Sequence, residues 1–225
     1  MMSMRPILEI SAPDGFALWP TGSHGPYGSL ALSGRLTAAE VGTAVWLLAD
    51  RNDVEPDPGQ AEERGPRPAD PVGAFLHGLL GESHPYAPGG LVVTDSVTGA
   101  TFEPGCCNGL EDWREWLNVT DGSGTAWFGH DPDARAECVG RVVRLTQNAA
   151  DGEDGEDGKA PVIELPVDEL RRLLAGAERD LRDFLALAAS WTRRQLPDHA
   201  TAVTAALTRA LDLEPDLEPD QESPA

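Results

Sequence analysis

The sequence predicts an α+β protein in which one antiparallel sheet of about four to six strands is covered by two C-terminal helices. Short runs of β-branched and aromatic residues, separated by glycine- and proline-containing turns, predict the strands. A stripe of apolar residues with helical spacing over residues 166–195 predicts the longer helix. A proline-aspartate pair and a second apolar repeat predict a shorter helix over residues 198–212.

The N-terminal part supplies the first strands and two further helices. Strands are expected at residues 7–10, 16–19 and 29–36. Thr37 and Glu40 have the spacing of a capping box, which predicts a helix over residues 37–50. The apolar run at 45–48 also suits a buried strand, so periodicity leaves that alternative open. Residues 72–80 predict a short apolar helix.

The central part contains the strongest hairpin pattern, over residues 91–103. Asn108 and Glu111 repeat the capping-box spacing and predict a helix N-terminus directly after two cysteines. Residues 138–146 are expected to form one strand with a bulge at its glycine. Residues 162–165 are expected to pair antiparallel with that strand across an acidic loop.

Together these elements predict a single domain over residues 1–212. Three segments rich in proline, glycine or acidic residues cannot bury enough apolar surface to offset the entropy of ordering. We therefore expect irregular loops at 52–71 and 151–158 and a disordered acidic tail at 213–225. The acidic loop lacks the ligand spacing of an EF-hand, so no calcium site is expected there.

The net charge of −21 at pH 7 restricts the class of partner. An acidic surface repels phosphate backbones and anionic membranes, so neither nucleic acid nor membrane binding is expected. It favours a basic protein partner, because complementary fields speed encounter and can tighten binding. The simpler explanation is that the charge only maintains solubility. The sequence does not specify the oligomeric state.

Cysteine content and the N-terminus indicate the compartment. The three cysteines, two of them adjacent, do not make the framework of a secreted disulfide-rich protein. The N-terminus has no continuous apolar segment of the kind found in signal peptides. We therefore expect a reduced, cytoplasmic protein.

Residues 101–118 are chemically the most unusual stretch, because Cys106 and Cys107 lie in a turn just before the predicted short helix. We expect these cysteines to pack the turn against the core. A thiol before a helix can instead be nucleophilic or bind metal, although the nearby carboxylates oppose this by raising a thiol pKa. The nucleophilic alternative combines the cysteines with His130 and Asp131. The metal alternative combines Cys106, Cys107, His130 and Cys138, whose residue types suit zinc but whose spacing does not.

A block of tryptophans beside carboxylates is the candidate binding site. Aromatic anchors rimmed by acidic groups suit recognition of a basic protein surface. The alternative is that these aromatic residues form the core where the short helix meets the sheet. The candidate binding residues are Glu111, Asp112, Trp113, Glu115, Trp116 and Trp127.

The short motifs of common enzyme classes are absent from the sequence, including a Walker loop, GxGxxG after a strand, HExxH and GxSxG. No cofactor is expected. We therefore expect a non-enzymatic, acidic binding module that neutralises a basic protein partner, as an immunity protein or antitoxin does. The alternative is a cysteine-centred enzyme or a small metal-binding domain.

Overall fold

A computed structural model describes residues 1–11, 15–23, 25, 28–54, 64–121, 124–148 and 162–213 of the 225-residue chain. These residues form two antiparallel sheets of four strands each, together with five α-helices. The predicted α+β class is confirmed. The strands divide between two sheets, and a turn-and-helix segment separates β4, the last strand of the first sheet, from β5, the first strand of the second.

The first sheet has the strand order β2-β1-β3-β4 and is built around the N-terminal strand. Its strands are β1 (Met2–Ile10), β2 (Gly28–Ala31), β3 (Gly89–Asp95) and β4 (Thr101–Phe102). β1 pairs with β3 from Met2 opposite Asp95 to Leu8 opposite Gly89. The predicted hairpin is present, since β3 and β4 pair antiparallel with Val93 opposite Phe102.

The strand predicted at residues 16–19 is wrong. These residues form an irregular segment whose Trp19 is buried and donates its indole N–H to the Gly42 carbonyl oxygen at 2.8 Å. The aromatic residues here serve tertiary packing: the ring centroids of Trp19 and Trp191 lie 6.1 Å apart in an edge-on contact.

The second sheet has the order β5-β6-β7-β8. Its strands are β5 (Thr125–Trp127), β6 (Asp133–Val139), β7 (Val142–Asn148) and β8 (Ile163–Pro166). The single bulged strand predicted over 138–146 is wrong, because the chain reverses there and Val139 pairs with Val142. Gly140 has a φ of 68°, and this positive angle is what a two-residue hairpin turn requires. β8 pairs antiparallel with β7, as predicted.

The helices agree with the sequence pattern except after the cysteines. They are α1 (Ala38–Asn52), α2 (Pro71–Gly81), α3 (Glu115–Thr120), α4 (Val167–Gln195) and α5 (Ala200–Ala210). The capping box of α1 is confirmed: the Glu40 amide donates to the Thr37 hydroxyl, and the Thr37 amide donates to the Glu40 carboxylate at 2.7 Å. The predicted C-terminal helix pair is α4 and α5, which pack against each other.

One cluster of buried side chains includes residues from both sheets and from the helices. α4 contributes the buried residues Leu174, Leu181 and Phe184 and packs against β1 as well as β7 and β8. The long helix therefore lies beside both sheets and joins their inner faces into a shared core.

Several predictions concern residues that are only partly described. The loop predicted at 52–71 begins inside α1, where the Asn52 amide group donates to the Leu48 and Tyr86 carbonyl oxygens at 2.7 and 2.8 Å. The acidic loop at 151–158 lies outside the described residues, and so does the predicted tail apart from the buried Leu213. Among the described helices, none combines the length and the apolar character needed to cross a membrane.

Candidate functional site

The structure brings together three of the residues considered from the sequence. One ligand atom from each of Cys106, Cys107 and His130 lies within 4.8 Å of the other two, and all three residues are exposed. Cys138 does not belong to this group; it lies in β6, where its Sγ is 3.7 Å from the Gly140 carbonyl oxygen. We call Cys106, Cys107 and His130 the thiol-imidazole cluster.

Backbone hydrogen bonds bring the two halves of the cluster together. The Cys106 amide donates to the His130 carbonyl oxygen, and the His130 amide donates back to the Cys106 carbonyl oxygen at 3.1 Å. The Gly105 amide donates to the Phe128 carbonyl oxygen at 2.7 Å. These bonds fasten the turn before the short helix to the segment that follows β5.

Two glycines allow this close approach. A Cβ atom at Gly129 would overlap the carbonyl oxygens of Gly105 and Cys106, and one at Gly105 would overlap those of His130 and Pro132. Gly129 also has a φ of 97°, which side-chain-bearing residues rarely adopt. The two segments can therefore lie against each other only with glycine at these positions.

The backbone at the cluster adopts unfavourable angles. Cys107 has a φ of 66° and Asp131 a φ of 50°, both in the left-handed region that residues with a Cβ avoid. In an extended chain neighbouring side chains point to opposite sides. The left-handed angle at Cys107 instead leaves its Sγ only 3.6 Å from that of Cys106. Such angles persist where surrounding structure enforces them, and they concentrate at functional sites.

His130 has a carboxylate partner next to it in sequence. Its Nδ1 lies 3.2 Å from Oδ2 of Asp131, and both side chains are exposed. Its ring centroid lies 6.3 Å from that of Trp127. Asp131 therefore contacts the imidazole at its Nδ1 edge.

The electrostatic environment of the cluster is anionic. The pKa of Cys106 is raised, first by the hydrogen bond and charge of Cys107 and less by Glu9. The rise agrees with the direction expected from the sequence, but its main cause is the neighbouring thiol. Desolvation, followed by the charge of Glu111, raises the pKa of Tyr86 to about 12. A raised thiol pKa disfavours the thiolate, which opposes a nucleophilic role for Cys106.

The capping box predicted at Asn108 and Glu111 is wrong. A 3₁₀ turn occupies Leu110–Asp112, and α3 begins only at Glu115. The Asn108 side-chain amide donates to the Gly89 carbonyl oxygen at 2.8 Å, and the Glu111 carboxylate accepts the Ala87 amide at 2.8 Å. Both side chains therefore bond to the backbone at the start of β3 and just before it. Burial raises the pKa of Glu111 from 4.5 to about 7.

The predicted aromatic site divides into buried and exposed parts. Trp113 and Trp116 are 3% and 1% exposed. The indole N–H of Trp113 donates to the Leu211 carbonyl oxygen at 3.0 Å, and the Trp116 ring stacks on Phe128 with centroids 4.2 Å apart. Trp113 and Trp116 therefore belong to the hydrophobic core, which was the alternative to a binding role. Trp127, which is 48% exposed, is the tryptophan of the predicted set that a partner can reach, and the carboxylates of Asp112 and Glu115 are exposed.

The structure also presents a surface that the sequence analysis missed. Residues of β6 and β8 alternate between buried and exposed, so one face of the second sheet is directed to solvent. We call this surface the Trp127 face; it carries Thr125, Trp127, Arg135, Glu137, Val139, Val142, Arg144 and Glu164. The alternation over residues 133–139 was the available signal, and it was missed because no strand was predicted before residue 138.

Comparison of the chain with protein-family models, with curated proteins and with solved structures gave no match.

Proposed function

We propose that this protein is a non-enzymatic binding module that holds a basic protein partner on the Trp127 face. The observation that carries the proposal is a sheet face that no described segment covers, with a half-exposed tryptophan on its edge strand. Tryptophan in such a position is the residue type most enriched among side chains that dominate binding energy. In its most concrete form, the partner is a basic toxin that this protein neutralises.

Exposed apolar side chains support the choice of the Trp127 face as the binding surface. Val139 and Val142 are 56% and 41% exposed, lie opposite each other in the hairpin, and share the face with Trp127. Val162, which is 47% exposed, directly precedes β8. A surface depression of about 660 Å³ lies on the same sheet, where Trp127 and Glu137 are among its lining residues. Exposed apolar side chains grouped on one face are typical of protein interaction sites.

Charge supports a basic partner. The polar side chains on the face are partly neutralised, since Arg144 pairs with Glu164 at 2.8 Å. The segment that joins β7 to β8 contains five acidic residues at 151–157. Together with residues 55–63 and 214–222, this segment holds fourteen of the 38 acidic residues of the chain. Excess negative charge on a protein attracts a cationic partner over long range and speeds encounter.

The test uses three purified forms of the full chain as immobilised bait in extract of the organism that encodes it. These are the wild type, Trp127→Ser, and the control Val97→Ser, which changes an 81% exposed valine outside the Trp127 face. We expect the wild type and Val97→Ser to capture the same basic protein. Trp127→Ser should lower its recovery about tenfold or more, which corresponds to about 1.4 kcal/mol.

Calorimetry with the purified partner should then give the same order of affinities, with weaker binding at higher salt. A partner that is neutral or acidic would contradict the proposal. So would capture that Trp127→Ser retains in full, because binding would then use another surface.

A further inference from the structure

We propose that Cys106, Cys107 and His130 form a binding site for a thiophilic divalent cation, with Zn²⁺ as the ion that best fits the donor set. Two thiolates and one imidazole are donors that zinc prefers. The inference does not depend on the Trp127 face or on a protein partner. It rests on the spacing of the ligand atoms and on the way the backbone holds them.

The distance between the sulfurs fits a tetrahedral ion. Zinc binds thiolate at about 2.3 Å, so two sulfurs on one tetrahedral ion lie about 3.8 Å apart. The Sγ atoms of Cys106 and Cys107 are 3.6 Å apart. Adjacency in sequence is therefore no obstacle here, although it argued against a metal site when only the sequence was considered.

The backbone supplies this arrangement before any ion binds. The positive φ of Cys107 leaves both sulfurs close together, and the reciprocal hydrogen bonds between Cys106 and His130 set the imidazole beside them. The His130 nitrogen lies within 4.8 Å of both sulfurs.

Asp131 completes the site as a positioning residue. Its carboxylate lies 3.2 Å from Nδ1 of His130. A carboxylate on the outer nitrogen of a metal-binding histidine fixes its tautomer and makes the other nitrogen a better ligand. Three protein ligands leave the fourth tetrahedral position open to water or to a ligand atom from another molecule.

The surrounding charge also favours a cation. The carboxylate of Glu9 adds negative charge near Cys106. A divalent cation offsets this accumulation of negative charge. Binding converts both thiols to thiolates and releases their two protons to solvent, while neutral His130 donates its lone pair without losing a proton.

The test titrates Co²⁺, a spectroscopic substitute for Zn²⁺, into the reduced full chain after chelator treatment. We expect one equivalent of Co²⁺ to produce a thiolate-to-metal charge-transfer band and intense tetrahedral d–d bands, and Zn²⁺ to remove both. Cys106→Ser, Cys107→Ser and His130→Ala should each weaken binding about tenfold or more, and Asp131→Ala about tenfold. Circular dichroism establishes that each variant is folded.

Cys138→Ser and His84→Ala are the matched controls, because they remove the same donor types outside the cluster and should leave the titration unchanged. Zn²⁺ should also slow alkylation of Cys106 and Cys107, measured by peptide mass spectrometry, but not of Cys138. The proposal is overturned if Co²⁺ binds without a thiolate band, which would indicate the acidic segments. It is also overturned if the band survives Cys106→Ser or Cys107→Ser.

Discussion

The two sheets differ in what covers them. In β3 of the first sheet, the residues from Gly89 to Val93 are buried without interruption, whereas β6 and β8 of the second sheet alternate between buried and exposed residues. Continuous burial requires cover on both faces of a sheet, and alternation indicates one solvated face. The difference identifies β6 and β8 as strands with a solvated face, whereas the buried part of β3 is covered on both faces.

The segment that carries the cysteines covers the start of β3 in the first sheet. The Asn108 side chain donates to the Gly89 carbonyl oxygen, and Pro104 packs closely against Gly90. The thiol-imidazole cluster is therefore anchored to the covered sheet. Trp127 extends the second sheet towards it, since its ring centroid lies 6.3 Å from that of His130. The thiol-imidazole cluster and the Trp127 face therefore lie next to each other, but the first is anchored to the first sheet and the second belongs to the second sheet.

The largest difference in unfolding free energy is expected between replacement of a buried tryptophan and replacement of a tryptophan on the Trp127 face. Trp116→Ala removes a buried ring stacked on Phe128 and should cost about 3–5 kcal/mol of unfolding free energy. Trp127→Ala, on the solvated face, should cost less than about 1 kcal/mol. Urea denaturation of both variants measures the contrast. Equal losses would show that the second face is covered in solution, for instance by a second copy of the chain.

A smaller loss of unfolding free energy is expected from a substitution at Gly129, where the turn that carries the cysteines meets the segment after β5. Gly129→Ala forces a Cβ into the Gly105 and Cys106 carbonyl oxygens at a φ of 97° and should cost about 2–4 kcal/mol. Gly99→Ala is the control: its φ of 76° is also positive, but a Cβ there meets nothing within 4 Å. It should cost about 1 kcal/mol. If thermal and urea denaturation gave the same loss for both, the close contact between the two segments would be refuted.

The outcome at the two capping-box sequences shows how far local pattern can predict structure. Thr37 and Glu40 precede a long apolar helix and bond to each other as the spacing predicts. Asn108 and Glu111 have the same spacing, but Gly89 and Ala87 provide partners for their side chains. Those partners lie at or just before the start of β3, about twenty residues earlier in the chain, so no local pattern contains them. The tertiary contact therefore replaced the local motif.

The candidate site was predictable in its residue types but not in its geometry. Cys106, Cys107 and His130 were identified because their side chains are reactive or bind metal. Their convergence depends on backbone hydrogen bonds between two segments and on two glycines that permit close approach. Neither feature produces a periodic signal in the sequence. The Trp127 face was missed for a related reason, since the hairpin turn at Gly140 was interpreted as a bulge.

The smallest expected effect concerns a carboxylate in the covering segment. The carboxyl group of Glu111 has an ordinary pKa of 4.5 and a pKa of about 7 in the folded protein, because burial removes it from water. The native state therefore binds more protons than the unfolded state between these pH values, and stability falls as the pH rises through that window. Because Glu111 is only partly buried, we expect a loss on the order of 1–2 kcal/mol.

Glu111→Gln isolates this loss from the repulsion among the many other carboxylates, because it keeps an acceptor for the Ala87 amide and removes only the ionisable group. We expect the free energy of unfolding of Glu111→Gln minus that of wild type, measured by urea denaturation, to be larger at pH 8 than at pH 5 by that amount. If the difference between Glu111→Gln and wild type did not change between pH 5 and pH 8, the Glu111 carboxylate would be well solvated in the folded protein. The proposed contrast between the covered start of β3 and the open Trp127 face would then fail at Glu111.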